Sequence, residues 1–318
     1  MKTALITGAT GFVGANIARR LLSQGHNVHL LVRSSHKSWR ISDIQNDVTV
    51  HVVDFLDKKG LGSTCKSIKP DWIFHTAVYG AYSYQQDIDQ TIQTNIVGLS
   101  NLLQACLETG FESFVNTGSS SEYGYKDHAP KENEYVEPNS YYTVSKVAGT
   151  YLCRFTAEQY KVHIPTIRLY SVYGPYEEPT RLMPTLVRFA LDKKLPPLVD
   201  PTIARDYVYI DDVVDAYLSV ATGHTKEYGP IYNVGTQTQT TLLELVTLVQ
   251  KQLHVKELPV WGSMPNRAWD TSCWISDTQK IRSEMSWKPR HTLSYGITQF
   301  SQWIQDHECL YMIDESNK

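Results

Sequence analysis

Continuous apolar runs alternate with stretches whose apolar residues recur three and four apart through the first half of the chain. The runs at 2–7, 28–32, 48–53, 72–75, 114–116 and 164–169 predict strands buried on both faces. Between them, 12–24 places Val13, Ile17, Leu21 and Leu22 on one side of a helix, and 86–109 and 140–160 are the longest predicted helices. Such alternation specifies a parallel sheet covered by helices on both faces, a doubly wound α/β Rossmann domain. Ligands of these sheets bind beyond the carboxyl ends of the strands. The polar clusters at Asp54, 76–79, 117–121 and 170–171 stand at those ends and are expected to meet in one crevice.

Past Gly174-Pro175 the rhythm breaks, with Pro179, Pro184, Pro196, Pro197 and Pro201 punctuating short segments. The expected division is a dinucleotide-binding domain over 1–174, to which a segment of about 206–235 returns, and a smaller interleaved α/β substrate domain over 175–318. The polar tail at 314–318 is expected to be disordered.

Composition narrows the function classes. With 318 residues, 42% hydrophobic and 20% charged, the chain can bury a large core. A net charge of −3 offers no basic field for nucleic acid, and no apolar segment is long enough to span a bilayer. The first strand begins at once, so a cytoplasmic protein is expected. Cys65, Cys106, Cys153, Cys273 and Cys309 are scattered and form no C-x-x-C pair, which indicates neither a disulfide framework nor a metal site. Cys153 is expected to be a small buried side chain within its helix.

Two motifs carry chemistry. Gly8-x-x-Gly11-x-x-Gly14 joins the first strand to the first helix, where open N–H groups and the helix dipole favour a pyrophosphate and glycines let the backbone approach it. Tyr142 and Lys146 stand four apart on a predicted helix, so a phenol and an ammonium share one face. The ammonium is expected to lower the tyrosine pKa and make Tyr142 a general acid or base for an alcohol or ketone.

Together with Ser119-Ser120-Ser121-Glu122-Tyr123-Gly124, these motifs resemble the extended short-chain dehydrogenase/reductase family that modifies nucleotide sugars. The segments at 168–175 (RLYSVYGP), 205–212 (RDYVYIDD), 232–235 (YNVG) and 287–289 (WKP) extend the resemblance over nearly the whole chain. It implies a catalytic trio of Ser119, Tyr142 and Lys146, with hydride carried by a nicotinamide. It also implies cofactor contacts from Gly8, Thr10, Gly11, Phe12, Val13, Gly14, Arg33, Ser34, Asp54, Phe55, Thr76, Ala77, Val78, Asn95, Thr117, Tyr170 and Val172, besides Tyr142 and Lys146. Substrate contacts are implied for Tyr79, Ser120, Ser121, Ser171 and Arg181, with Arg205 and Arg267 on the diphosphate and Asp270 at the nucleotide end. The helices at 86–109 and 140–160 resemble the pair through which relatives form homodimers.

Two departures bear on the subclass. Relatives that dehydrate the sugar carry an acid and a base just after the catalytic serine or threonine, where this chain has Ser120 and Ser121; Glu122 comes one place late and would serve only after a register shift. The second strand ends Val32-Arg33-Ser34-Ser35 rather than in the carboxylate that reads a free ribose 2′-hydroxyl, which favours NADPH over NAD. The expectation is an NADPH-dependent reductase of a nucleotide-linked 4-keto-6-deoxyhexose, similar to the enzymes of CDP-abequose and CDP-paratose formation. Behind it stand an NAD-dependent 4-epimerase, then a decarboxylase or 4,6-dehydratase, and, outside enzymes, an NADP-binding regulatory or scaffold protein.

Overall fold

The computed structural model describes residues 1–82, 84–223, 225–266 and 270–311; Arg267 and the tail at 314–318 lie outside the described residues. A parallel sheet is built from β1 (Thr3–Thr7), β2 (Asn27–Val32), β3 (Thr49–Val52), β4 (Trp72–His75), β5 (Ser113–Ser119), β6 (Thr166–Leu169) and a late strand, Ile231–Val234. The late strand, β10, lies at one edge, in the order β10-β6-β5-β4-β1-β2-β3. The chain runs outward from β1 to β3, then returns to lay β4 against the other side of β1. That reversal opens a crevice at the carboxyl ends of β1 and β4. Along β1, Ala4 and Ile6 enter one core and Leu5 the other, which is why its sequence shows no polar alternation.

Helix α1 (Phe12–Ser23) buries Gly14, Ala15, Ile17, Ala18 and Leu21. Its predicted stripe is therefore shifted: the small residues touch the sheet, while Val13 and Leu22 pack from the rim. The remaining helices of this half are α2 (Lys58–Ile68), α3 (Ile88–Ile92), α4 (Leu99–Thr109) and α5 (Tyr141–Tyr160). The single helix expected over 86–109 is interrupted by a wide π turn, Gln93–Gly98, between α3 and α4. Gly98 is required there, since a Cβ would stand 2.8 Å from that of Phe55. Helix α5 starts at Ser140, whose hydroxyl accepts the Thr143 N–H, and buries mostly small residues, Cys153 among them.

Beyond the sheet come β7 (Ser171–Tyr173), α6 (Leu182–Leu191), β8 (Ala204–Arg205), β9 (Tyr207–Tyr209), α7 (Ile210–Thr222), β11 (Thr240–Thr241), α8 (Leu242–Leu253), α9 (Gln279–Met285), α10 (Leu293–Asp306) and α11 (Glu308–Tyr311). Strand β7 pairs with β9 and β11 with β8. At the bend between β8 and β9, buried Asp206 accepts hydrogen bonds from the backbone N–H groups of Thr236, Gln237 and Ser276 and the hydroxyls of Thr236 and Ser276. One carboxylate thus ties three segments together behind Arg205. Among the described residues the five cysteines are unpaired, no group of three metal-ligating side chains occurs, and no helix is long and apolar enough to cross a membrane.

Candidate active site

The chain leaves β1 through Gly8, at φ +69°, and enters α1 after Gly11, which caps the helix without a side-chain hydrogen bond. A Cβ at Gly8 would lie 2.5 Å from the Ala77 nitrogen, and one at Gly14 would lie 2.7 Å from the Thr76 Oγ1. The loop therefore lies close against 76–77, where Thr76 donates to the Thr7 carbonyl at 2.7 Å. Open N–H groups at a helix start, bordered by backbone without side chains, form a cradle that fits a dinucleotide pyrophosphate. Thr10 borders it, and Phe12 and Val13 lean from it onto the core.

Arg33 and Ser34 follow β2 and are exposed. Asp54 is exposed as well and accepts the Leu56 N–H at 2.8 Å, while Phe55 is half-buried 5.9 Å from the His75 ring. Val78 and Tyr79 continue from β4, half-buried. The side chain of Asn95, buried in the π turn, accepts from the Tyr79 N–H and donates to the Tyr79 carbonyl and the Ser145 hydroxyl, each at 2.8 Å. Asn95 thus fixes the loop after β4 to α5, so its polar atoms are spent on positioning.

Ser119 ends β5 and begins a 3₁₀ turn, Ser120–Tyr123, while Tyr142 and Lys146 come from the first turns of α5. The three meet at the crevice. A hydrogen bond from Ser119 and the charge of Arg181 draw the Tyr142 pKa down, but burial outweighs them and leaves it above its ordinary value. The expected lowering by Lys146 is not found. Its ammonium donates to the Thr117 carbonyl at the end of β5, and burial lowers its own pKa. Four-residue spacing aligned the two side chains on one face, but a buried carbonyl takes the ammonium. The Thr117 hydroxyl is paired with Tyr217 at 2.6 Å.

Glu122 is completely buried: one carboxylate oxygen accepts the Ser119 N–H at 2.8 Å, and the other accepts Thr150 at 3.0 Å and Arg168 at 2.9 Å. It holds the serine turn and neutralises buried Arg168, so the register shift that would free it for elimination does not occur. Ser120 is buried and Ser121 half-buried beside it. Ser171 and Val172 lie half-buried in β7; Tyr170 is buried with its hydroxyl unpartnered and its ring edge-on to Trp274.

Arg205 pairs with Asp270 at 3.0 Å and lies 5.3 Å over the Trp274 ring, which brings an arginine expected on the diphosphate together with the aspartate expected at the nucleotide end. Arg181 precedes α6 and reaches across to the Ala81 carbonyl at 3.0 Å. Two more side chains take part. Arg40 is buried, donating to the carbonyls of Tyr176 and Thr10 and to Glu178, and so clamps the glycine loop to the segment before α6. Glu177 follows Tyr176, itself at φ +69°, and its buried Oε2 has no partner. Burial pushes that carboxyl up to about 8.

Residues 4–235, which span the glycine cradle, the serine turn and the Tyr142–Lys146 helix, match the model of the NAD dependent epimerase/dehydratase family. The chain belongs to this family. As a member it is an NAD(P)-dependent enzyme of the extended short-chain dehydrogenase/reductase type. It is 30% identical to the UDP-glucose 4-epimerase of Mycolicibacterium smegmatis over 314 residues, 95% of this chain and 98% of that one. It is 28% identical to UDP-glucuronate 4-epimerase 1 of Arabidopsis thaliana over 329 residues, 95% of this chain and 76% of that one. Among solved structures, the Thermus thermophilus UDP-glucose 4-epimerase complex with NAD superimposes with a TM-score of 0.83 at 26% identity, covering 96% of this chain and 99% of that one.

Proposed function

We propose that the protein is a 4-epimerase of a UDP-linked hexose that retains its NAD. The observation that supports this reading is the pairing of Ser119 with Tyr142 in a crevice where Glu122, the acid that follows the serines, is spent on Arg168. In this reading the site moves one proton at one oxygen, and Ser120 and Ser121 stand where an acid and a base would serve the elimination of water. The 30% identity to a UDP-glucose 4-epimerase over 95% of the chain supports the same choice over the reductase first expected.

Tyr142 would take the proton of the C4 hydroxyl and return it after the sugar has presented its other face. Ser119 would hold the same oxygen throughout. Bound NAD would supply the acceptor and donor of the C4 hydride. Gly8, Gly11 and Gly14 would hold its pyrophosphate, and Arg205 with Asp270 would face the nucleotide of the substrate. In this reading residues 1–174 with about 206–235 hold the cofactor and the rest of 175–318 shapes the sugar site.

The apolar stripe of α5 fits a homodimer: Tyr141, Val144, Tyr151 and Phe155 are 63%, 49%, 49% and 65% exposed, with Ile88 and Ile92 of α3 exposed too. A second copy presenting the same stripe would cover both.

The deciding experiment gives the purified protein UDP-glucose without added cofactor and follows UDP-galactose by NMR, while denatured protein is assayed for released nucleotide. Epimer and released NAD are expected. Arg33, exposed beyond a strand that ends without a carboxylate, favours a second reading, the NADPH-dependent 4-keto sugar reductase. A protein inert until NADPH is added, consuming one equivalent per 4-keto sugar, would establish that reading instead.

A further inference from the structure

Arg181, at the start of α6, reaches across to the loop after β4. Its Nη2 donates to Ala81 at 3.0 Å and its guanidinium lies 5.1 Å over the Tyr82 ring. The residue before Ala81 abuts the active helix: a Cβ on Gly80 would lie 3.5 Å from that of Tyr142. The cation is close enough for its charge to draw the Tyr142 pKa down.

The neighbouring acids do not neutralise it. Glu178 is paired with Arg40 at 2.8 Å. Glu177, held up to about 8 by burial, is uncharged at neutral pH. Among the described residues Arg181 has no carboxylate within ion-pair distance, whereas Arg40 and Arg205, which also border the crevice, do. The side chain is also exposed, so a ligand can reach it. The pyrophosphate of the cofactor has its own cradle of open N–H groups at Gly8 to Gly14.

We infer that Arg181 selects a substrate whose hexose carries a carboxylate, a nucleotide-linked uronic acid, over the neutral sugar. This rests on the reading of the Tyr142 crevice as a nucleotide-sugar site. A guanidinium fork matches a carboxylate, and its anchorage by Ala81 and Tyr82 holds the fork in place before the ligand arrives.

The test measures calorimetric binding of UDP-glucuronate and UDP-glucose to the protein as purified, to Arg181→Gln and to Arg181→Lys, with turnover of both sugars measured separately. A hydrogen-bonded charge pair predicts a preference for UDP-glucuronate of roughly 10- to 100-fold in the native protein. Arg181→Gln should abolish it by weakening the uronate alone, and Arg181→Lys should restore part of it. Equal binding of the two sugars, or tighter binding of UDP-glucose, overturns the assignment. So does an Arg181→Gln protein that loses both sugars alike, which would make the residue a loop clasp, or one that loses bound nicotinamide, which would give the cation to the cofactor. Because binding is read apart from turnover, a protein that prefers the uronate without inverting it would overturn the epimerase reading and keep Arg181. Inversion of UDP-glucose with no binding preference would do the reverse.

Discussion

Glu177 makes the fold pay for a buried acid. The residue is buried, Oε2 has no hydrogen bond, and burial overrides the pull of Arg181, the Gly174 backbone and Arg40, with Glu178 adding to the upward push. Unfolded, the group releases its proton near its ordinary 4.5; folded, it holds the proton until about 8. Between those values the unfolded chain binds fewer protons, so stability falls as pH rises, by about 1.4 kcal/mol per pH unit. Across the whole window the loss reaches about 5 kcal/mol and then levels off above the folded-state pKa. Glu177→Gln removes the titration and adds a pH-independent cost of about 1–3 kcal/mol for an unpartnered buried amide. Urea unfolding of both proteins from pH 4.5 to 8.5 should therefore show the variant gaining steadily on the native protein, while every shared ionisation cancels in the difference. A stability difference constant to within about 0.5 kcal/mol across that range would refute the reasoning.

Three further outcomes follow from the site. Tyr142→Phe should lower kcat by about 10²- to 10⁴-fold while leaving the thermal midpoint close to that of the native protein, and undiminished turnover would remove Tyr142 from the chemistry. Glu122→Ala leaves Arg168 charged and unpaired in the core and should cost about 3–5 kcal/mol in chemical denaturation; a cost near zero would mean that the pair contributes little to the fold. Gly8→Ala forces a Cβ into the Ala77 backbone at a positive φ, so equilibrium dialysis should show loss of nicotinamide dinucleotide binding, and unchanged affinity would displace the cradle from this loop.

Local sequence was enough where local geometry makes the site. The glycine loop was legible because a strand, three spaced glycines and a helical period occur in direct succession. The clamps that hold the site were not legible, because their partners are remote in sequence. Asn95 engages Ser145, Arg40 engages Tyr176, and Glu122 engages Arg168. No spacing rule predicts such pairs. The aim of Lys146 was missed for the same reason: helix periodicity gives the face of a side chain but not which carbonyl of a neighbouring strand ends beneath it. The choice between inverting and reducing a sugar rested on Arg33, a single exposed charge that suits a ribose phosphate and water alike.

The wide turn at Gln93–Gly98 works as a phase adjuster. An α-helix advances about 100° per residue, so shortening this turn by one residue would restore ordinary pitch while rotating everything upstream by about that angle. Either Asn95 would lose the Tyr79 loop, or Ile88 and Ile92 would swing out of line with the apolar stripe of α5. The irregularity lets one rod meet two unrelated alignments, one with the chemistry and one with the outer surface. A single-codon deletion here is therefore expected to be far more damaging than most point substitutions along the same rod.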